Sequence, residues 1–327
     1  MTKPMLLAEF TRLPSVTRSL VLDGLSGAID LVAEAAPETH RFLRYQWFAA
    51  ALAADGGAAR TILVEHDGHP VIALPMVRVG PGPARLATLA GNDRPFRSFP
   101  ASVMADGGAY HALLDQLGRE VNALRIGPIR DGDPALAPLL AAARAKGWAA
   151  LDRVASASDL PALPAAPGGA EDRLAGQGAL DWRFLQGAEL GAVRLGATID
   201  VHGRGAFWRG AAADPVLARM MSMALVTVDG APVAFSLDLC AGACCYAIAD
   251  GEDPAFAAFS PAALLRGRLR AAGAEATDPE DRGTGPVLRD WLLVRPGLPA
   301  LLGRALRPLW TGARQAPDEK DRISPAA

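Results

Sequence analysis

The residues best suited to chemistry cluster between positions 224 and 273. There a hairpin with Asp229-Gly230 at its tip leads through a strand carrying Tyr246 to Asp253-Pro254, and then to Ser260-Pro261-Ala262-Ala263. The last four read as the opening of a helix. A serine hydroxyl at the N-cap accepts a hydrogen bond from a first-turn amide, and proline at the first helical position loses nothing by lacking an N–H. The amides of Ala262, Ala263 and Leu264 are then expected to point outward unpaired at the positive end of the helix dipole, an arrangement that holds phosphate groups. Ordinary capping with no ligand uses the same four residues, and the sequence leaves both readings standing.

Other chemistries find no spacing to support them. His40, His66, His69, His111 and His202 are scattered, neither a His-x-x-x-His nor a Cys-x-x-Cys pair occurs, and no metal is expected. No Gly-x-Ser-x-Gly elbow and no Gly-x-x-x-x-Gly-Lys-Ser/Thr loop is present, which removes the serine-hydrolase and nucleoside-triphosphatase readings. Cys240, Cys244 and Cys245 fall in the hairpin. Neighbours on one strand point to opposite faces, so all three are expected to be small buried apolar residues rather than disulfide or zinc partners.

The elements that must position these residues follow from composition and punctuation. A chain of 327 residues, 50% hydrophobic and with a net charge of −2, is long enough for about two globular domains and implies no nucleic-acid partner. All but three of its 33 basic residues are arginine, so arginine is the default solubilising cation here and a lone arginine is weak evidence of a phosphate ligand. No signal peptide and no membrane span is legible, and a cytoplasmic protein is expected.

Two halves show the same order of events. In the first, a helical stretch over 39–54 precedes strands at 61–66 and 70–79 around the turn Asp67-Gly68, followed by helices at 111–124 and 134–146 and strands at 124–129 and 148–154. In the second, the aromatic lead-in of Trp182, Phe184, Phe207 and Trp208 precedes a helix at 214–223, strands at 224–228, 232–239 and 243–249, a helix at 260–272, and strands at 274–277 and 287–294. The aromatics read as core or as the lining of an acceptor groove. The loop Arg94-Pro95-Phe96-Arg97-Ser98-Phe99-Pro100 is placed to border a cleft. The expected division is an N-terminal domain at 1–158, a linker rich in proline, alanine and glycine at 159–178, a C-terminal domain at 179–310 and a disordered tail at 311–327.

With these residues in view, the chain resembles the GNAT-superfamily acyltransferases of the CelD-like branch, whose members are linked to cellulose or exopolysaccharide production. The resemblance is carried by the hairpin over 224–249, by Asp253-Pro254-Ala255-Phe256-Ala257-Ala258-Phe259-Ser260-Pro261 and the helix after it, and by Asp281-x-Gly283-x-Gly285. In the first half it is carried by Arg41-Phe42-Leu43-Arg44-Tyr45-Gln46-Trp47-Phe48 and by Ala73-Leu74-Pro75.

The resemblance implies an α/β protein of two tandem GNAT domains in a FemAB-like arrangement, each a mixed, mostly antiparallel sheet flanked by helices. It further implies acetyl-CoA or another acyl-CoA in the second domain. The pyrophosphate would lie on Ser260, Ala262, Ala263 and Leu264, and the pantetheine arm on the backbone of Ala247, Ile248 and Ala249. Such transfer needs a proton acceptor for the incoming nucleophile and a donor for the leaving thiolate. Asp250, Asp253 and Asp281, with Glu252 beside them, are the candidate bases and Tyr246 the candidate acid; each also has a structural role open to it, as a loop or cap carboxylate or a half-wet strand phenol. The acceptor would be an amine or hydroxyl on a small molecule or saccharide precursor, with polysaccharide-synthesis proteins as possible partners. Of two departures from the family pattern, Ala262 in place of glycine narrows the approach to phosphate without abolishing the amides, and a shortened segment after Gly285 favours as alternative a catalytically degenerate acyl-CoA-binding or scaffolding protein. A FemAB-type transferase using aminoacyl-tRNA lacks the basic channel it would need.

Overall fold

A computed structural model describes residues 15–155, 166–193, 205–242, 244–271 and 288–297. The expected tail, the Asp281-x-Gly283-x-Gly285 segment and the strand at 274–277 lie outside these residues. The protein is mixed α/β, with two sheets flanked by helices.

In the first half, β1 (Thr17–Asp23) precedes α1 (Ala28–Glu34) and α2 (Tyr45–Asp55), then the antiparallel meander β2 (Ala59–His66), β3 (His69–Val79) and β4 (Leu86–Leu89). Helix α3 (Gly107–Glu120), β5 (Ala123–Arg130), α4 (Leu136–Ala145) and β6 (Ala149–Val154) follow. The second half opens with α5 (Ala170–Ala175), a helix within the stretch expected to be linker, and β7 (Leu180–Gln186). Helices α6 (Gly205–Ala211) and α7 (Pro215–Met220) lead to a second meander, β8 (Met221–Val228), β9 (Ala231–Ala241) and β10 (Cys244–Glu252), then α8 (Pro261–Ala271) and β11 (Leu288–Val294). Both halves therefore run strand, two helices, three-stranded meander, helix. Each meander turns where Asp-Gly supplies two consecutive positive φ angles, 52° and 79° at Asp67-Gly68 and 50° and 79° at Asp229-Gly230.

The sheets differ in their closure. The second holds β10-β9-β8-β7, all antiparallel, and among the described residues the outer edge of β10 pairs with no strand. The first has the order β1-β2-β3-β4-β5-β11-β6, mixed through the parallel β4·β5 pair, and takes its sixth strand from the far end of the chain. Buried Asp290 of β11 clasps both neighbours, accepting from Arg125 on β5 (3.0 Å) and Arg153 on β6 (2.7 Å). Gly127 permits this close pairing. At φ +130° it sits where a Cβ would lie 2.6 Å from the Arg289 carbonyl oxygen.

A shared core joins the halves. Trp47 of α2, 0% exposed, packs edge-on against Phe42 at 4.8 Å and Phe207 at 5.1 Å, with Trp208 at 5.7 Å. The inward faces of β8, β9 and β10 close this core from the other side through Leu225, Phe235, Leu237 and Tyr246. Phe207 and Trp208 are thus core residues. Trp182 is not: it is half-buried on β7 under the Arg268 guanidinium, 3.9 Å from its ring centroid.

Candidate functional site

Strand β10 carries most of the residues the sequence singles out, and a bulge sorts them. Its pairing with β9 slips between Ala247 and Ala249, so Tyr246 and Ala249 oppose Leu239 and Leu237 with Ile248 unpaired between them. One extra residue reverses the alternation of faces beyond it. Tyr246, Ile248 and Ala249 consequently pack on the shared core, whereas Asp250 and Glu252 are aimed at α8 on the opposite face.

The α8 face holds the expected cofactor residues, in a different arrangement from that expected. Ser260 is not an N-cap of extended backbone; it lies in the left-handed region at φ 50°, closing the 3₁₀ turn Pro254–Phe259. The Ala262 amide does not point outward unpaired but donates to the Glu252 carboxylate (3.2 Å), and the Leu264 amide donates to the Ser260 carbonyl (3.1 Å). An anion does sit at this helix start, then, supplied by the chain itself. Asp250 is held by Arg266 of α8 (2.6 Å), and Asp253 caps the 3₁₀ turn by accepting from the Ala255 amide (2.9 Å). Neither carboxylate is a free base. Asp281 lies outside the described residues. The free edge of β10 at Ala247, Ile248 and Ala249 suits an extended, amide-bearing arm, because its outward N–H and C=O groups meet no strand among the described residues. At the start of α8 the Glu252 carboxylate occupies the place a bound anion would take.

On the other face Tyr246 enters a second constellation, one that sequence spacing does not reveal. A cavity of about 180 Å³ is lined by Thr39, His40, Phe96, Arg130, Asp133 and Tyr246 among others. It lies where the 3₁₀ turn Glu38–His40, the loop after β4, the loop between β5 and α4, and β10 converge. The tip of the β9–β10 hairpin docks on that turn at Gly242, where φ is +62° and a Cβ would stand 2.8 Å from the Glu38 side chain.

Inside, buried His40 meets buried Asp133 through Nε2 at 2.8 Å. The other carboxylate oxygen of Asp133 accepts from the Ala135 and Leu136 amides, at 2.9 Å each, where α4 begins. Since that carboxylate can only accept, His40 carries a proton on Nε2, and its Nδ1 lies 3.0 Å from the Thr39 hydroxyl, which donates to it when the imidazole is neutral. Tyr246, 3% exposed, stands edge-on to Phe96 at 5.7 Å, with the Arg130 guanidinium 4.5 Å from its ring centroid. Tyr110 of α3 is buried near Asp133, and burial first, then that carboxylate, push its phenol well above the ordinary tyrosine range.

Phe96 falls in the loop expected to border a cleft, and it does. His40 and Asp133 are 93 residues apart, and no local signal joins them beyond the helix-start pattern at Asp133-Pro134. The cysteine expectation is corrected: the hairpin register sets Cys245 directly across from Cys240, Cα atoms 4.0 Å apart, and the two form a disulfide. The face argument holds only for neighbours on one strand. Cys244 keeps a free thiol beside the cavity. Among the described residues no cluster of three or more histidine, cysteine or acidic side chains could hold a metal ion, and no helix is long and apolar enough to cross a membrane.

Residues 170–279 match the family described as acetyltransferase (GNAT) domain, a span that takes in β7 through α8. No curated protein matches the sequence. Among solved structures, the chain is similar to FemX at 11% identity, over 83% of this chain and 96% of that one, with a TM-score of 0.46. A tandem GNAT protein from the clavulanic acid biosynthesis pathway aligns at 14% identity over 84% and 97%, with a TM-score of 0.31. The C-terminal domain of a putative lysylphosphatidylglycerol synthetase from Agrobacterium fabrum aligns at 13% identity over 87% and 94%, with a TM-score of 0.39.

Proposed function

We propose that the protein is an acyl-CoA-dependent acyltransferase, with acetyl-CoA as its simplest donor, acting by direct transfer on an amine or hydroxyl of a small molecule or an envelope-polysaccharide precursor. The observation that carries this reading is the free, bulged outer edge of β10 leading into α8, within the segment that matches the acetyltransferase domain. The backbone of Ala247, Ile248 and Ala249 would hold the amides of the pantetheine arm. The amides of Ala262 and Ala263 would receive the pyrophosphate when Glu252 withdraws, while Leu264 stays in the helix ladder. Tyr246 is the phenol near the acyl end and the acid for the departing thiolate; Asp281 remains a candidate base.

The reading assigns acyl-CoA binding to a C-terminal unit at 179–310, apart from β11, which completes the first sheet, and treats 1–158 as an N-terminal unit that lends walls to the acceptor site, the two joined through 159–178. It places the protein in the cytoplasm and allows polysaccharide-synthesis proteins as partners. One observation favours a second reading, an acyl-CoA-binding or scaffolding protein without turnover: Asp250, Glu252 and Asp253 are all engaged within the chain.

Calorimetric titration with acetyl-CoA and longer acyl-CoAs, against free CoA, tests both. Micromolar binding with release of CoA thiol on adding an acceptor is expected. Binding without release would leave the scaffold, and no binding to any of them would sink the acyl-CoA assignment.

A further inference from the structure

We propose that the cavity between the halves is the acceptor site, that His40 is the general base of the transfer, and that the acceptor it serves is a hydroxyl. This rests on the acyl-CoA reading above. The base is built from three groups in series: Asp133 fixes the ring through Nε2–H, and in the neutral imidazole Nδ1 faces the Thr39 hydroxyl, which lines the cavity with it. A hydroxyl has one proton to give and two lone pairs. Thr39 can therefore pass its proton to Nδ1 while accepting one from a group in the cavity. Asp133 is a positioning residue: its carboxylate is anchored by two backbone amides and stabilises the imidazolium formed when Nδ1 is protonated.

The walls select the class of acceptor. An ordinary alkyl amine, with a pKa of about 10, arrives as an ammonium and needs a carboxylate to meet it. Both oxygens of Asp133 are taken by His40 and the two amides, and Asp131 is bound to Arg289 (2.8 Å). Arg130, over the Tyr246 and Phe96 rings at 4.5 and 5.6 Å, brings no negative charge to meet an ammonium. A neutral hydroxyl needs no such partner, and the two rings offer it apolar walls.

In the step itself the acceptor oxygen attacks the thioester carbonyl while its proton passes through Thr39 to His40. The C–S bond breaks, Tyr246 gives its proton to the departing thiolate and regains one from the imidazolium, and the products are an ester and free CoA.

The test uses the full-length protein and the substitutions His40→Gln, Asp133→Asn, Thr39→Val and Thr39→Ser. It measures acetyl-CoA affinity by calorimetry and CoA thiol release with glycerol or methyl glucoside as hydroxyl probes and cadaverine as the amine probe. All variants are expected to bind acetyl-CoA within twofold of the wild type. Release with the hydroxyl probes should fall at least a hundredfold in His40→Gln and Asp133→Asn; it should fall tenfold or more in Thr39→Val and be restored in Thr39→Ser.

Histidine nitrogen NMR supplies a readout independent of turnover. In Asp133→Asn the carboxamide oxygen must stay with the two amides, so its NH₂ faces His40, and the proton is expected to move from Nε2 to Nδ1. Loss of acetyl-CoA binding in the wild type would overturn the acyl-CoA reading and this inference together. Intact binding with undiminished release in His40→Gln, or with preferential acylation of cadaverine, would overturn this inference alone; intact binding with no release from any probe would overturn it together with turnover and leave the scaffold.

Discussion

The helices that follow the two meanders, α3 in the first half and α8 in the second, open in opposite ways. At α3 the anion is local and permanent: Asp106, immediately before the helix, accepts from the Ala109 amide at 2.9 Å. The strand before it, β4, is paired on both sides, with β3 and β5. At α8 the carboxylate comes from Glu252, ten residues before the amide it caps, and the strand that carries it has a free outer edge among the described residues. The first half has spent its helix start and its sheet edge on its own closure. In the second, the sheet edge meets no strand among the described residues, and the helix start is closed by one side chain from ten residues away.

The comparison can be broken first at the shared core. Replacing Trp47 by alanine removes the ring that bridges Phe42, Phe207 and Trp208, and is expected to cost about 3–5 kcal/mol. If the halves are one cooperative body, denaturant unfolding followed at both sheets will show a single shifted transition; two transitions would show that the second half can be considered alone.

A pair of charge insertions sharpens the contrast between the helix starts. Ala263→Asp places a negative charge at the α8 start and should weaken acetyl-CoA binding more than tenfold, about 1.4 kcal/mol. Gly107→Asp does the same at the α3 start, where the added side chain meets open space, and should leave affinity unchanged. Equal effects, or none, would remove the distinction. Glu252→Gln has the smallest expected effect: withdrawing the competing charge should raise acetyl-CoA affinity by a few-fold, in keeping with the roughly 0.3–1 kcal/mol that a charge is worth at a helix end. A drop in affinity would mean that Glu252 supports the site rather than blocking it.

Local chemistry made much of this legible in the sequence. Asp67-Gly68 and Asp229-Gly230 located both hairpins because few other dipeptides take two consecutive positive φ angles. The periodic apolar residues of α3 and α4 and the strands β5 and β6 followed from pattern alone. The missed features depend on distant partners. Strand β7 alternates like a strand, yet its aromatics read as a lead-in because nothing nearby marks its pairing with β8. The bulge at Ile248 exists only in register against β9, and it decides that Tyr246 and Asp250, four residues apart, serve opposite faces. The Cys240–Cys245 pairing and the meeting of His40 with Asp133 likewise arise from register and packing, which a linear reading of spacing does not contain.

The placement of β11 has a consequence for how the molecule is made. Strand β6 ends at Val154, and its only described neighbour in the sheet is β11, which begins at Leu288. On a ribosome the N-terminal sheet therefore stays unfinished, lacking the strand between β5 and β6, until Leu288–Val294 have emerged. Closing so long a loop is entropically expensive and slow. The last described strand thus acts as a keystone, and the edges of β5 and β6 are exposed to wrong partners throughout the synthesis of the second half.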